Sequence, residues 1–251
     1  MNFREPKKRF LRASLLFEKG LALLGKDRYA ASEKLFSSSL RIFPNWHQAL
    51  QRRGFARLMQ NKMIQAANDY RRALKFDASC VECWVDLADV YSELGKHKKV
   101  VQCLNKTLKL ASNDPQAFLQ RGEAHLALGN YKAAVSDFER VRTHGGNRFG
   151  LLWREGRGRA YALLGEFEKA ISDLSQCVIM RPDAAETWIY RGLARILATD
   201  LSGGVADLRS ASNRKENRDL VVVARNVLRR IEGKERTRVR LISKLLMQGL
   251  A

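Results

Sequence analysis

The sequence has 251 residues, 45% of them hydrophobic and only 4 proline, with no apolar stretch near the roughly 18 residues that a membrane span requires. These numbers argue against a membrane-spanning protein and against a chain that is disordered over most of its length. Lys and Arg number 46 against 26 Asp and Glu, and the resulting net charge of +20 attracts nucleic acid, anionic lipid or acidic protein.

The first twelve residues are strongly basic, with one acidic residue, Glu5, among them. We interpret residues 1–12 as a basic N-terminal extension that precedes the first repeat. The interspersed Phe3 and Phe10 suggest an organellar presequence as an alternative. Because Glu5 and the early start of the first repeat leave little to cleave, we expect a cytoplasmic protein rather than a mitochondrial one.

Small residues recur with a nearly constant period along the next two hundred residues. Their spacings are 34, 34, 34, 36 and 34 residues, at Gly20, Gly54, Ala88, Gly122, Gly158 and Gly192. A large residue follows sixteen positions after each, at Phe36, Tyr70, Leu104, Phe138, Leu174 and Leu208. Small residues let two helices approach and large ones fill the remaining gap, so the period predicts a series of packed helical hairpins.

Turn residues agree with this period. Gly95, Gly129 and Gly165 lie seven residues after the small position, where the first helix of a hairpin must end. Pro44 and Pro182 lie where second helices stop. The two extra residues of the fourth repeat are expected to form an irregular loop over 144–147.

These positions resemble the tetratricopeptide repeat over residues 13–218. The third and fourth repeats carry the resemblance most fully, at Trp84, Leu87, Ala88, Tyr91, Gly95, Leu108, Gly122, Gly129, Tyr131, Ala134 and Phe138. The resemblance implies an all-α, right-handed α-solenoid of about six helical hairpins. It also implies a concave groove, lined by each first helix, that grips peptides or partner domains.

One arginine and one aspartate recur together in four of the six hairpins, always 16 residues apart. The pairs are Arg53 and Asp69, Arg121 and Asp137, Arg157 and Asp173, and Arg191 and Asp207. In the third hairpin the two positions hold Leu87 and Cys103, so both members vanish together. Joint loss is typical of a direct contact, and we interpret the pairs as partly buried structural ion pairs.

Acidic residues recur on the first helices of the later hairpins. If these helices line the groove, the partner-binding residues are Glu82, Asp86, Asp89, Glu93, Glu123, Glu155 and Glu186. The first four lie on one face of a helix. The pattern fits a basic or polar segment of another protein held in the groove, and an ordinary solvated helix face is the alternative.

Basic residues gather on the second helices. This predicted basic surface comprises Arg71, Arg72, Lys75, Lys98, Lys99, Lys106, Lys109, Arg140 and Arg142. RNA or an acidic protein is its expected partner, although no RNA-recognition motif accompanies it.

Nothing in the sequence indicates catalysis, so we expect a protein that is not an enzyme, without catalytic, cofactor-binding or metal-binding residues. Cys80 and Cys83 form a C-x-x-C, but no second pair follows at zinc spacing. All four cysteines are expected to be free thiols in a reducing, intracellular compartment. The four histidines lie in different repeats and form no metalloprotease or triad motif.

The last segment, 219–251, is basic and keeps a helical apolar stripe that includes Leu220, Val227 and Leu228. We interpret it as basic capping helices over the last hairpin, with a basic amphipathic helix for a membrane or an acidic partner as the alternative. Together these features predict a scaffold or adaptor subunit of a larger assembly, with an RNA-containing assembly among the options. The alternative is a membrane-peripheral adaptor that binds anionic lipid through its basic ends.

Overall fold

The computed structural model describes residues 4–213, together with Val222 and Asn226. Within these residues there are twelve α-helices and no strand, which confirms the predicted all-α fold of six helical hairpins. The predicted capping helices over 219–251 lie outside the described residues, apart from Val222 and Asn226.

The chain divides into two compact units, of which unit 1 runs to Ser112 and unit 2 starts at Asn113. The helices of unit 1 are α1 (Arg4–Leu24), α2 (Tyr29–Ile42), α3 (His47–Leu58), α4 (Met63–Phe76), α5 (Val81–Glu93) and α6 (His97–Leu110). Those of unit 2 are α7 (Pro115–Ala127), α8 (Tyr131–Phe149), α9 (Leu152–Leu164), α10 (Phe167–Met180), α11 (Ala185–Leu197) and α12 (Leu201–Ser212).

Each unit is a stack of three hairpins. In unit 1 every helix packs against the next one, and the first helices α1, α3 and α5 also contact one another in order. Unit 2 repeats this arrangement from α7 to α12, with contacts from α7 to α9 and from α9 to α11. The first helices of a unit therefore form a continuous layer, and the second helices lie beside them.

Close approach within a hairpin explains the recurring small residues. A Cβ atom added to Gly122 would lie 2.9 Å from the ring of Phe138, and one added to Gly20 would lie 2.7 Å from Phe36. Both distances are too short for a side chain, so the aromatic ring sixteen residues later occupies the space that glycine leaves empty. This contact sets the distance between the two helices of the hairpin.

All six hairpins turn through a residue in the left-handed conformation at the same position of the repeat. Three of them are the predicted glycines, with φ of 64° at Gly95, 75° at Gly129 and 81° at Gly165. The other three carry side chains, at Asp27 (φ 54°), Asn61 (φ 60°) and Thr199 (φ 76°). The turn geometry is therefore a property of the hairpin, and glycine is only its easiest solution.

Two predicted boundaries differ from the structure. Helix α1 begins at Arg4, so most of the segment 1–12 belongs to the first helix instead of preceding it. The loop expected over 144–147 is a kink within α8, where Gly145 leaves the helical conformation at φ −164° and ψ 21°. A Cβ on Gly145 would lie 2.8 Å from Pro115, and this close contact accounts for glycine at the kink.

None of the helices in the described part of the chain combines the length and hydropathy that a bilayer crossing needs.

Candidate functional site

The four predicted arginine–aspartate pairs all form two-pronged contacts inside their hairpins. Arg121 donates from Nε to Oδ2 of Asp137 at 2.8 Å and from Nη2 to Oδ1 at 2.6 Å. The same two hydrogen bonds join Arg53 to Asp69, Arg157 to Asp173, and Arg191 to Asp207, at distances between 2.6 and 2.9 Å. All four aspartates are buried. Planar, charge-assisted pairs of this kind join the two helices of a hairpin and leave these arginines little capacity for a ligand.

Three of these arginines also cover an aromatic ring on their own helix. The guanidinium carbon lies 5.5 Å from the ring centre of Phe118 for Arg121, 4.8 Å from Trp153 for Arg157, and 4.9 Å from Trp188 for Arg191. The repeated arrangement is therefore an aspartate below and an aromatic face beside each arginine.

A second arginine joins two of the pairs and was missed in the sequence. Arg57 donates to Oδ2 of Asp69 at 2.7 Å, and Arg195 donates to Oδ2 of Asp207 at 3.1 Å. Each lies four residues after the first arginine of its pair, a helical spacing that could have revealed it. Arg57 also donates to Glu33 on α2, and so links two neighbouring hairpins of unit 1.

The four acidic residues predicted on the third hairpin all lie on α5, and we call them the acidic face. Glu82 and Glu93 are exposed, and Asp86 and Asp89 are half-buried. Burial, together with the negative charge of Asp89, raises the pKa of Asp86 to about 6. Below them lies the buried Tyr70, whose hydroxyl has no hydrogen-bond partner of normal geometry in the described residues. Negative charge is therefore concentrated here at a cost in stability.

A cleft of about 390 Å³ opens beside this face and is called here the acidic cleft. Its apolar wall comes from the end of α3 and the start of α4, at Leu58, Met59 and Met63. Its polar wall comes from α5, at Asp89, Ser92 and Glu93. An apolar wall beside two carboxylates suits the aliphatic stem and cationic end of a lysine or arginine.

The acidic residues predicted in unit 2 have partners within the protein. Arg159 on α9 lies between two of them, with Nη1 3.7 Å from Glu123 Oε2 and Nε 3.5 Å from Glu186 Oε1. Burial opposes the charge of Arg159, but the two glutamates more than offset it and raise its pKa. Glu155 is engaged as well, since it accepts hydrogen bonds from Thr187 and Arg181.

Unit 2 thus carries a compensated cluster in place of a second acidic face. Asp89, Glu123 and Arg159 occupy the same position of three successive repeats. The change of sign at the third of them was the signal that could have predicted this difference.

The residues of the predicted basic surface are all exposed. Those in unit 1 lie on α4, at Arg71, Arg72 and Lys75, and on α6, at Lys98, Lys99, Lys106 and Lys109. Arg140 and Arg142 lie on α8 in unit 2, and Arg142 pairs with Glu139 at 2.8 Å. The predicted set is therefore divided between two units.

One prediction about the cysteines is wrong. Cys80 and Cys83 were expected to be free thiols, but they form a disulfide at the start of α5, with their Cα atoms 5.3 Å apart. Cys80 precedes the first residue of the helix, and the helical turn brings Cys83 back beside it. Cys103 and Cys177 are free and buried, and burial raises their thiol pKa to about 11 and about 12. In the described residues, no group of three or more metal-ligating side chains could hold a metal ion.

Comparison with protein families gives a match to the model described as tetratricopeptide repeat, at residues 85–147 and 119–185. Among curated proteins, the chain is 23% identical over 155 residues to tetratricopeptide repeat protein 37 of Xenopus laevis, covering 56% of this chain and 10% of that protein. It is 31% identical over 90 residues to peptidyl-prolyl cis-trans isomerase FKBP4 of Homo sapiens, covering 34% of this chain and 20% of that protein. The chain therefore spans a fifth or less of the length of these relatives.

Among solved structures, the fold is similar to a tetratricopeptide repeat protein from Parabacteroides merdae ATCC 43184. The TM-score is 0.71 at 18% identity, over 94% of this chain and 99% of that chain. YrrB, described as a tetratricopeptide repeat protein with an unusual peptide-binding site, gives a TM-score of 0.65 at 17% identity, over 76% and 97% of the two chains. At these identities the similarity concerns the fold alone.

Proposed function

Since this chain belongs to the tetratricopeptide repeat family, whose fold serves as a scaffold for other proteins, we propose that it holds a basic segment of a partner protein in the acidic cleft of unit 1. The observation that carries the proposal is the acidic cleft itself, where Asp89 and Glu93 face an apolar wall of leucine and methionine. A lysine or arginine side chain would bury its aliphatic stem against Met59 and Met63 and bring its charge to the carboxylates.

The partly protonated Asp86 also supports a ligand that brings positive charge. Two aspartates one helical turn apart repel each other, and burial adds to the cost of keeping both ionised. A bound cation would relieve this repulsion and would lower the pKa of Asp86. The free energy gained in that way would contribute to binding and would make binding release protons near pH 6.

A peptide-binding measurement tests the proposal. The probe is a fluorescein-labelled twelve-residue peptide with alternating lysine and alanine, and fluorescence anisotropy reports its binding to the full chain at about 50 mM salt. We expect Asp89→Asn with Glu93→Gln to weaken binding at least tenfold. The control is Glu168→Gln, which removes an exposed carboxylate on α10 and should leave affinity unchanged.

Two results would overturn the proposal. The first is equal affinity of the double variant and the unchanged protein, and the second is equal binding of a glutamate–alanine peptide of the same length. Circular dichroism at the temperature of the assay establishes that the double variant is folded.

An RNA-containing assembly is a second candidate setting for the scaffold. The net charge of +20 and the exposed basic surface favour a polyanionic neighbour. Affinity purification of the tagged protein in mild salt, with and without nuclease, tests it. Co-purifying proteins that disappear on nuclease treatment would support the RNA-containing assembly, and a set that survives nuclease would support a purely protein one.

The membrane-peripheral alternative rests on the basic ends of the chain, where residues 209–244 carry twelve basic residues against four acidic ones. Polybasic segments bind anionic lipid through the surface potential. Sedimentation with vesicles containing 30% phosphatidylserine would support it if deletion of residues 219–251 abolished binding, and no sedimentation of the full chain would exclude it.

A further inference from the structure

The third hairpin differs from its neighbours at the place where they carry an ion pair. Leu87 stands where the others have arginine, and Cys103 where they have aspartate, and both are buried, with 3% and 4% of their surface exposed. In three of the four other hairpins the arginine also covers an aromatic ring. In the third hairpin the corresponding ring is that of Trp84, and a leucine is too short to reach across its face.

A pocket of about 720 Å³ lies at this place, within unit 1. Its apolar lining comes from three helices, with Leu74 on α4, Trp84 and Leu87 on α5, and Cys103 on α6. The Trp84 indole N–H donates to the carbonyl oxygen of Ala78 at 3.0 Å, which holds the ring in place. The volume falls within the roughly 300 to 1,000 Å³ typical of ligand-binding pockets.

The charged residues that line this pocket are all cationic. Arg71 and Lys75 project from α4, and Lys99 and Lys106 from α6, and all four are exposed. Across residues 4–213, none of the four forms an ion pair with a carboxylate. We call this site the basic pocket. Its apolar lining and cationic surroundings together favour a ligand that is both apolar and anionic.

The basic pocket and the acidic face lie on opposite sides of α5. Trp84, Leu87 and Tyr91 share one side of the helix, because their offsets of three and four residues follow its turns. Asp86 and Asp89 follow the same spacing on the far side. The carboxylates of the acidic face therefore do not neutralise the basic pocket, and one helix separates two sites of opposite charge.

The lining suits a peptide better than a nucleic acid. A single strand needs aromatic faces on which successive bases stack, in addition to cations for its phosphates. Here Tyr91 is buried and Lys99 already lies over its ring, with Nζ 5.1 Å from the ring centre. Trp84 is left as the aromatic face, and Leu74, Leu87 and Cys103 are not stacking surfaces.

We propose that the basic pocket binds an acidic peptide segment that inserts one apolar side chain between α4, α5 and α6, with its flanking carboxylates on Arg71, Lys75, Lys99 and Lys106. The site is distinct from the acidic cleft, and neither site requires the other to be occupied. A chain with both sites could hold a basic segment and an acidic segment on opposite sides of one helix.

The sharpest test restores the ion pair that the third hairpin lacks. Leu87→Arg together with Cys103→Asp places in this hairpin the two residues that four others already use, fills the pocket and leaves the net charge unchanged. The probe is a labelled twelve-residue peptide of glutamate and aspartate with one central phenylalanine, measured by fluorescence anisotropy. We expect the double variant to bind it at least tenfold more weakly, and replacement of the phenylalanine by serine to have a similar effect.

Three further measurements complete the test. Lys75→Glu with Lys106→Glu should also reduce affinity at least tenfold, and this variant serves if the first does not fold. Lys98→Gln with Lys109→Gln, on α6 outside the pocket, should change it less than twofold. Asp89→Asn with Glu93→Gln should not weaken binding, which separates this proposal from that of the acidic cleft.

The proposal is overturned if the peptide does not bind at millimolar concentration, or if restoring the ion pair leaves its affinity unchanged. It is also overturned if a twelve-nucleotide uridine strand binds more tightly than the peptide and is displaced by the same variants. That last result would assign the pocket to RNA.

Discussion

Arg121 and Asp137 lie 16 residues apart in the chain and are joined by two hydrogen bonds, of 2.8 and 2.6 Å, between the first and second helices of one hairpin. The same relationship occurs in three other hairpins, and in the third hairpin both partners are absent. This comparison within one chain separates structural charge from charge that is free to bind a partner. The arginines of the pairs belong to the first kind, and the cations around the basic pocket belong to the second.

Removal of one partner of this pair should cost more than removal of both. Arg121→Leu leaves Asp137 buried without its partner, and we expect it to lower the free energy of unfolding by about 3 to 5 kcal/mol. The double variant Arg121→Leu with Asp137→Cys, which copies the third hairpin, should recover at least about 1 kcal/mol of that loss. Urea denaturation followed by circular dichroism measures both.

Arg140→Ala is the matched control in the same unit, because Arg140 is exposed on α8. It should change the free energy of unfolding by about 0.5 kcal/mol or less. Equal losses from Arg121→Leu and Arg140→Ala would contradict a buried pair.

Thr199 is the least suitable of the six left-handed turn residues, because its branched side chain disfavours φ of 76°. The left-handed conformation costs about 1 to 2 kcal/mol, and glycine avoids this cost but adds about 0.4 to 1 kcal/mol of chain entropy on unfolding. We therefore expect Thr199→Gly to stabilise the protein by about 0.5 to 1 kcal/mol. A shift of the urea midpoint to higher concentration measures the gain.

Asn61→Gly provides the comparison for Thr199→Gly, since asparagine tolerates the left-handed region well. It should shift the midpoint little. A lower midpoint for Thr199→Gly would mean that the threonine side chain makes a stabilising contact that outweighs its backbone strain.

Asp86→Asn should stabilise the protein at neutral pH. The folded-state pKa of Asp86 is raised to about 6 from 3.8, so its ionised form destabilises the fold above pH 6 and its protonated form carries no such penalty below pH 4. At pH 8 we expect a gain of about 1 to 3 kcal/mol from the substitution. The gain should shrink as the pH falls from 6 to 4, and thermal unfolding across this range measures it.

A gain from Asp86→Asn that is the same at pH 8 and pH 4 would show that the charge of Asp86 is not its cause. Loss of basic-peptide binding in the same variant would show that a residue bound at a cost in stability serves the acidic cleft.

Glu33 should have the opposite pH dependence. Partial burial opposes its ionisation, but hydrogen bonds from Lys62, Arg57 and Gln60 prevail and lower its pKa to about 2 from 4.5. Its contribution to stability is therefore complete above pH 4.5 and is lost as the pH falls toward 2. Glu33→Gln should cost about 1 to 2 kcal/mol at pH 7, allowing for solvent screening, and almost nothing at pH 2.

Glu18→Gln, at an exposed position of α1, is the control in the same unit and should have little effect at either pH. If Glu33→Gln were as stable as the unchanged protein at pH 7, the link that Glu33 makes between α2 and α3 would not stabilise unit 1.

The sequence by itself determined the hairpin, because both periods that define it are local. A helix turns every 3.6 residues, and two helices of fixed length place a residue opposite the one sixteen positions later. That spacing is why Gly122 with Phe138, and Arg121 with Asp137, were recognisable without coordinates. The same spacing identified Leu87 and Cys103 as the exception.

Only the tertiary structure decided the features that depend on neighbouring hairpins or on the exact backbone path. Arg159 lies between Glu123 and Glu186 because three first helices stack side by side, so a charge on one meets charges on the other two. The disulfide between Cys80 and Cys83 depends on how the chain enters α5. The basic pocket exists because α4 packs beside a hairpin that lacks its ion pair, and a period within one hairpin does not specify what packs against it.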